Sequence, residues 1–206
     1  MIENSFGSVV LTANVFNPSI FTEKWMARNE LLPEADMVGM RVFSPEVVQF
    51  QTARMQVLIT PPKVQISFQL SDEQSALQAL AFLSKTTELL PHTPFRGLGL
   101  NFDYFVAQPE GHDFRGFNRA LFGYSENPLF REFDTADARF GGYFSKNHGQ
   151  ARLKLDIKPV TITESSADRE LLLFSFNFHH DITSESGPDT VSTLKNRLVT
   201  WKDFLD

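Results

Sequence analysis

Lys63-Val64-Gln65-Ile66-Ser67-Phe68-Gln69-Leu70 alternates polar and apolar residues without a break. Successive side chains of a strand point to opposite faces of a sheet. Val64, Ile66, Phe68 and Leu70 therefore share one side, and Lys63, Gln65, Ser67 and Gln69 the other, so one face is buried and one wet. The same split occurs at Leu98, Leu100, Phe102 and Tyr104 against Gly99, Asn101 and Asp103, and at Leu153, Leu155 and Ile157 against Arg152, Lys154 and Asp156. Phe174, Phe176, Phe178 and His180 repeat it against Ser175, Asn177, His179 and Asp181. Such alternation favours antiparallel sheet, because strands of a parallel sheet are apolar on both faces.

Helical patterns separate the strands. Asn17-Pro18 supplies a cap followed by proline at the first helical position, and predicts a helix through Trp25 to about Leu32, stopped by Pro33. Ser71 with Gln74 three residues on has the form of a capping box, opening a helix that carries Leu77, Leu80 and Leu83 and ends before Pro91. Phe114, Phe117, Leu121 and Phe122 predict a short third helix, and Val191, Leu194, Leu198, Trp201 and Leu205 stripe a final one begun near Pro188. The first half reads strand 7–15, helix, strands 38–43, 47–51, 54–60 and 63–70, helix. The second reads strand 97–106, helix, strands 138–145 and 150–158, a short piece at 160–163, strand 171–182, helix.

The expected fold class is α+β: two similar βαβ(3–4)α halves sharing one curved antiparallel sheet, with four main helices packed on one face. Ser67-Phe68-Gln69-Leu70 and Ser175-Phe176-Asn177-Phe178 share one pattern ahead of their helices. The chain is expected to be a single domain over residues 1–206, with duplication as 1–93 and 94–206 and a single irregular sheet both open. This order of elements resembles the TATA-binding-protein-like topology, in which two halves join into one curved sheet with helices on the convex side. The resemblance implies a fold; DNA binding is not carried over, because the charge balance is acidic. Arg96-Gly97-Leu98-Gly99-Leu100-Asn101-Phe102 is similar to the R-x-G-L-R-Y strand of a sporadically distributed, uncharacterised prokaryotic family, which implies no activity.

Composition narrows the function classes. Nineteen basic against 25 acidic residues give a net charge of −6, which argues against a general attraction to phosphate backbones or anionic lipid. Without cysteine there are no disulfides, thiolate metal sites or cysteine nucleophiles. The longest apolar run, residues 79–83, is far short of the roughly 18 to 20 that span a bilayer. The opening Met1-Ile2-Glu3-Asn4-Ser5 lacks the regions of a secretory signal, so a cytoplasmic location is expected.

Four constellations are candidates for function. His179 and Asp181 lie two apart on a strand and share its polar face, so they could offer an imidazole and a carboxylate to zinc or manganese if Asp103 joined them. Asp156-Ile157-Lys158 has the acid-x-lysine form of metal nucleases, with Asp137 or Asp134 as a further acid, although any solvent-facing strand can carry that pattern. Residues 113–144 interleave Phe114, Phe117, Phe122, Tyr124, Phe130, Phe133, Phe140, Tyr143 and Phe144 with Arg115, Arg119, Arg131 and Arg139. That composition suits a core with an arginine rim, a protein interface, or stacked single-stranded nucleic acid. Collectively, Gln65, Ser67, Gln69, Asn101, Asp103, Arg152, Lys154, Ser175, Asn177 and His179 form an outward face of amides, hydroxyls and charges. Amides both donate and accept, which fits hydrogen-bonded recognition of a peptide or polar ligand as well as plain solvation.

Gly111 and Gly116 lack the lysine and hydroxyl residue of a phosphate loop, Gly97-x-Gly99 lacks a third glycine, and neither a G-x-S-x-G nor an H-E-x-x-H motif occurs. The expectation is a non-enzymatic binding or interaction protein without a cofactor, holding a protein partner or itself. Gln65, Gln69, Asn101, Asp103, Asn177, His179, Arg115, Arg119 and Tyr124 are its candidate binding residues. The alternatives are a metal-dependent phosphodiester hydrolase using Asp137, Asp156 and Lys158, and nucleic-acid binding without catalysis; nucleic acid and membrane are not the expected partners.

Overall fold

The computed structural model describes residues 2–123, 128–133, 135–164, 167–182, 192–193 and 195–196. In chain order these form β1 (Ile2–Ala13), α1 (Glu23–Arg28), β2 (Met37–Phe43), β3 (Val48–Thr52), β4 (Met55–Thr60), β5 (Lys63–Gln69), α2 (Glu73–Leu89) and β6 (Phe95–Val106). After β6 come α3 (Phe114–Phe122), α4 (Pro128–Glu132), β7 (Gly142–His148), β8 (Ala151–Glu164) and β9 (Ala167–Asp181). The fold is α+β. One antiparallel sheet runs β2-β3-β4-β5-β1-β6-β9-β8-β7, which puts β1 and β6 side by side near its middle.

The strand registers turn the alternation into two faces. Phe50, Val57, Ile66, Val9, Leu100, Phe178 and Leu153 are successive cross-strand partners from β3 to β8, and all but the half-buried Leu153 are buried. One residue along each strand, Gln51, Gln56, Ser67, Ser8, Asn101, Asn177 and Lys154 form a parallel row pointing the other way. Because the side-chain period is two, a slip of one residue in any pairing would exchange the two rows, so burial of the first pins the register.

The helices cover the apolar face. Ala76, Ala79, Phe82 and Leu83 of α2 and Met26 of α1 join one core cluster with Val9, Leu11, Ile66, Phe68, Leu98, Leu100 and Phe102. Each fully buried Leu, Ile or Phe there stabilises the fold by roughly 1.5–3 kcal/mol. Gly7 of β1 belongs to this face and lies opposite both Phe68 and Phe102. A Cβ on Gly7 would come within 2.5 Å of the Phe68 ring, so the missing side chain is what lets that ring lie across β1.

Several expected boundaries are corrected. The helix predicted from Pro18 to about Leu32 is a 3-10 turn at Pro18–Ile20 followed by α1, because Thr22 restarts the chain as a new cap whose hydroxyl accepts from the Trp25 N–H at 3.2 Å. The cap of α2 is Asp72 and not Ser71. Its carboxylate accepts from the Gln74 N–H at 3.0 Å and from the Ser75 hydroxyl at 2.6 Å. The strand expected from residue 138 begins at Gly142, because the Asn118 amide takes the main chain of Phe140, accepting from its N–H at 2.8 Å and donating to its carbonyl at 2.7 Å. The separate pieces 150–158 and 160–163 are one strand, β8. Pro159 fits inside it because β7 stops pairing at Ile157, leaving the proline a neighbour on one side alone.

The predicted final helix lies mostly outside the described residues. Ser192, Thr193, Lys195 and Asn196 are helical, and Lys195 pairs with Glu88 of α2 at 2.7 Å. Among the described residues no helix is long and apolar enough to cross a membrane.

Candidate functional site

The wet face of the sheet divides at the β1–β6 seam. Over β6, β9 and β8 it carries ionisable and polar side chains bonded to one another. His179 Nε2 meets Asp181 Oδ1 at 3.0 Å, Lys158 Nζ meets Asp156 Oδ2 at 3.4 Å, and Arg152 donates to the side-chain oxygen of Asn147 at 3.0 Å. Gly97 leaves room beside the His179 ring. A Cβ on Gly97 would sit 2.9 Å from His179 Cε1. At the seam the amides are bonded to each other: Asn101 donates to the Ser8 hydroxyl at 3.1 Å, and Asn177 donates to the Asn101 side-chain oxygen at 2.5 Å. Asn101 and Asn177 thus form a hydrogen-bonded string that ties β1, β6 and β9 together.

Over β3, β4 and β5 the same face is different. Gln49 and Gln51 stand on β3, Gln56 and Leu58 on β4, and Gln65, Ser67 and Gln69 on β5, all pointing away from the helices. Gln49, Gln51, Gln56 and Gln69 are exposed, and Gln65 is half-buried with its side-chain oxygen accepting from Lys63 Nζ at 2.7 Å. A hollow of about 220 Å³ lies among Gln49, Gln51, Gln56, Leu58, Gln65 and Ser67, with Met40 on its rim. A second of about 240 Å³ adjoins it, sharing Gln51, Gln56 and Ser67 and reaching Gln69 and Phe6. Among the described residues no charged side chain lines the first, and Arg54 is the single charged residue lining the second; Arg54 is paired with Asp72 at 2.9 Å.

The rim comes from a fault in the edge strand. Between Val38 and Val42 the β2–β3 register shifts, and Gly39 takes φ +68°, a left-handed conformation that glycine adopts without strain. The extra chain lifts Met40 clear of the sheet, leaving it 87% exposed, with Val38 and Val42 exposed to a lesser degree. The hollow thus has a floor rich in carboxamides with Met40 at its rim, and Val38 and Val42 pair with Gln51 and Gln49 on the adjoining edge strand.

The other candidates fall in different places. Asp103 shares the wet face, opposite Phe6 and Ser175. It is four residues along from the level of His179, about 13 Å away at strand spacing, so it does not complete a site with His179 and Asp181. Among the described residues no group of three or more His, Asp or Glu side chains is placed to hold a metal ion. Asp137 accepts from the Thr135 hydroxyl at 2.7 Å, which with nearby Arg139 holds its carboxyl below the usual range. Arg139 pairs with Glu170, a β9 residue in step with the helix-side positions, whereas Asp156 lies opposite Ser175 on the wet face. Asp137 and Asp156 therefore belong to opposite sides of the sheet.

The aromatic and arginine segment is partly a packed unit. Asn118 is buried, the rings of Phe130 and Phe140 lie tilted against each other with centroids 4.7 Å apart, and Arg119 donates to the Thr135 carbonyl while lying over the Phe130 ring. Arg115 is exposed on α3, as are Phe133, Tyr143 and Phe144 nearby. Tyr124 and Asp134 lie outside the described residues.

Gln65 and Gln69 were candidates from sequence; Met40, Gln49, Gln51 and Gln56 were not. The alternation Val48-Gln49-Phe50-Gln51-Thr52 carried the signal, but which neighbours would share its face depended on pairing. Compared with known proteins, the chain matches no family model and no curated protein.

Proposed function

We propose that this chain is a non-catalytic binding protein that holds a protein partner on the wet face of its sheet, over β3, β4 and β5. The observation that carries the reading is the contrast between amides. Those at the seam are bonded to each other, whereas four exposed glutamines beside them line two adjoining hollows. Carboxamides do not titrate in water and are not nucleophiles, so a floor made of them is suited to recognition. Met40 at the rim, with Val38 and Val42 exposed on the same edge strand, adds the apolar contact area that solvated sheet faces lack.

The sheet order also supports reading the halves as related, with β1 and β6 adjacent and the remaining strands of each half running outward in reverse order. Among the described residues the first half has one strand more than the second.

A photo-crosslinking residue at Gln51 tests the binding reading in extract of the source organism, with the same residue at Glu73 on α2 as control. The expected result is a discrete adduct from position 51 that is absent from position 73 and is lost when Gln56→Arg fills the hollow. Adducts from position 73 alone would overturn the proposal.

A further inference from the structure

We infer that the occupant of the amide-floored hollow is an uncharged, extended peptide segment lying along β3–β5 with an apolar side chain against Met40. The inference rests on the binding reading above and names the chemistry of the bound molecule.

Three observations converge on that chemistry. The first is neutrality. The lining beneath Met40 consists of glutamines, Ser67 and apolar residues, without a formal charge, so a charged ligand group would lose its hydration there without gaining an opposite partner. The second is hydrogen-bonding type. Each carboxamide presents a donor and an acceptor in one plane, which is what a peptide group presents in return.

The third is spacing. Gln49 and Gln51 on β3, and Gln65, Ser67 and Gln69 on β5, recur every second residue on one face, a repeat of about 6.6 Å along the strand. An extended peptide laid alongside repeats its own carbonyl and N–H directions over the same two-residue length, so successive amides stay in register with the floor. A chain of sugar rings has no reason to keep that repeat, and the hollow beneath Met40 offers no exposed ring on which a sugar face would stack. Met40 supplies the adaptable apolar contact. Its unbranched thioether can follow side chains of several shapes, and at 87% exposure it has little packing of its own to lose.

The test is selection of linear peptides from a phage-displayed library against the intact protein, followed by fluorescence anisotropy with the dominant peptide made synthetically. The expected peptide lacks Asp, Glu, Lys and Arg in its binding core. Its affinity should change less than about twofold between low and high salt, because no ion pair is formed. Met40→Asp and the double variant Gln51→Ala with Gln56→Ala should each weaken it about tenfold or more, while Lys154→Ala on the charged half leaves it unchanged. Urea midpoints equal to the parent's for these exposed positions separate loss of binding from loss of fold.

A selected peptide whose binding collapses with salt, or retains full affinity for both groove variants, would overturn the inference. So would failure to select any peptide, neutral oligosaccharides bound in a Met40-dependent way, or a Met40-dependent dimer in sedimentation. If position 51 still crosslinks a partner while peptide selection fails, the binding face stands and only its assigned occupant falls.

Discussion

Gly7 shows how one missing side chain organises the centre of the sheet. Its Cβ would meet the Phe68 ring at 2.5 and 2.7 Å and the Leu70 side chain at 2.9 Å. Because those contacts are inside the core, Gly7→Ala should destabilise the fold by about 1–3 kcal/mol through overpacking, read as a lower urea midpoint with an unchanged slope. A midpoint equal to the parent's would show that the ring moves aside freely. Asp72 acts at the same scale through charge. The Ser75 hydroxyl, then the Gln74 N–H and the Arg54 guanidinium, hold its carboxyl below its ordinary value of 3.8. A carboxyl depressed in the folded state contributes stability that is present above the unfolded value and lost as pH falls through the folded one. Asp72→Ala should therefore lower the melting temperature at pH 7, and the difference from the parent should shrink as pH drops below about 3.8. A difference that stays constant down to strongly acid pH would show that the charge plays no part.

Among the elements, α2 and β2 do opposite jobs. The Ala76, Ala79, Phe82 and Leu83 face of α2 is buried against the strands, with Leu83 fully enclosed. Leu83→Ala should cost about 2–5 kcal/mol through lost burial and the cavity left behind, measured by chemical denaturation. β2 is built to be uneven. Its shifted register and the left-handed Gly39 raise Met40 over the groove and spoil a flat edge on which other chains could add. Gly39→Val should strain the bulge and reduce peptide binding in the anisotropy assay more than it lowers stability, because β2 pairs on one side only. Equal peptide affinity in that variant would show that the bulge does not set the position of Met40.

For the whole molecule, the long β1–β6 pairing makes the seam part of the core. Val9 and Leu11 pair with Leu100 and Leu98, and all four are buried. The 206-residue chain should unfold in one transition followed alike by far- and near-ultraviolet circular dichroism. Residues 1–93 expressed alone should fail to give a soluble folded species, since removing β6 exposes an apolar edge; a monomeric, cooperatively melting fragment would show that the seam is dispensable. The strand alternation determined by itself that one sheet face is greasy and the other wet, because the period of two is a local property of extended backbone. It was readable at Val64-Gln65-Ile66-Ser67-Phe68 and again at Phe174–His180. Helix starts were less legible, since Ser71 and Asp72 are both capping residues and only the extended backbone of Asp72, whose carboxylate accepts from the Gln74 N–H, chooses between them. Which polar residues gather around a hollow was decided by tertiary structure alone. Asn101 and Gln51 are both amides on wet strand faces, yet registry places Asn101 between Ser8 and Asn177 and brings Gln51 beside Gln56 under a displaced Met40. Hydrogen bonds between residues 76 and 93 positions apart in the chain, and a bulge set by how β2 meets β3, are long-range facts that no local pattern encodes.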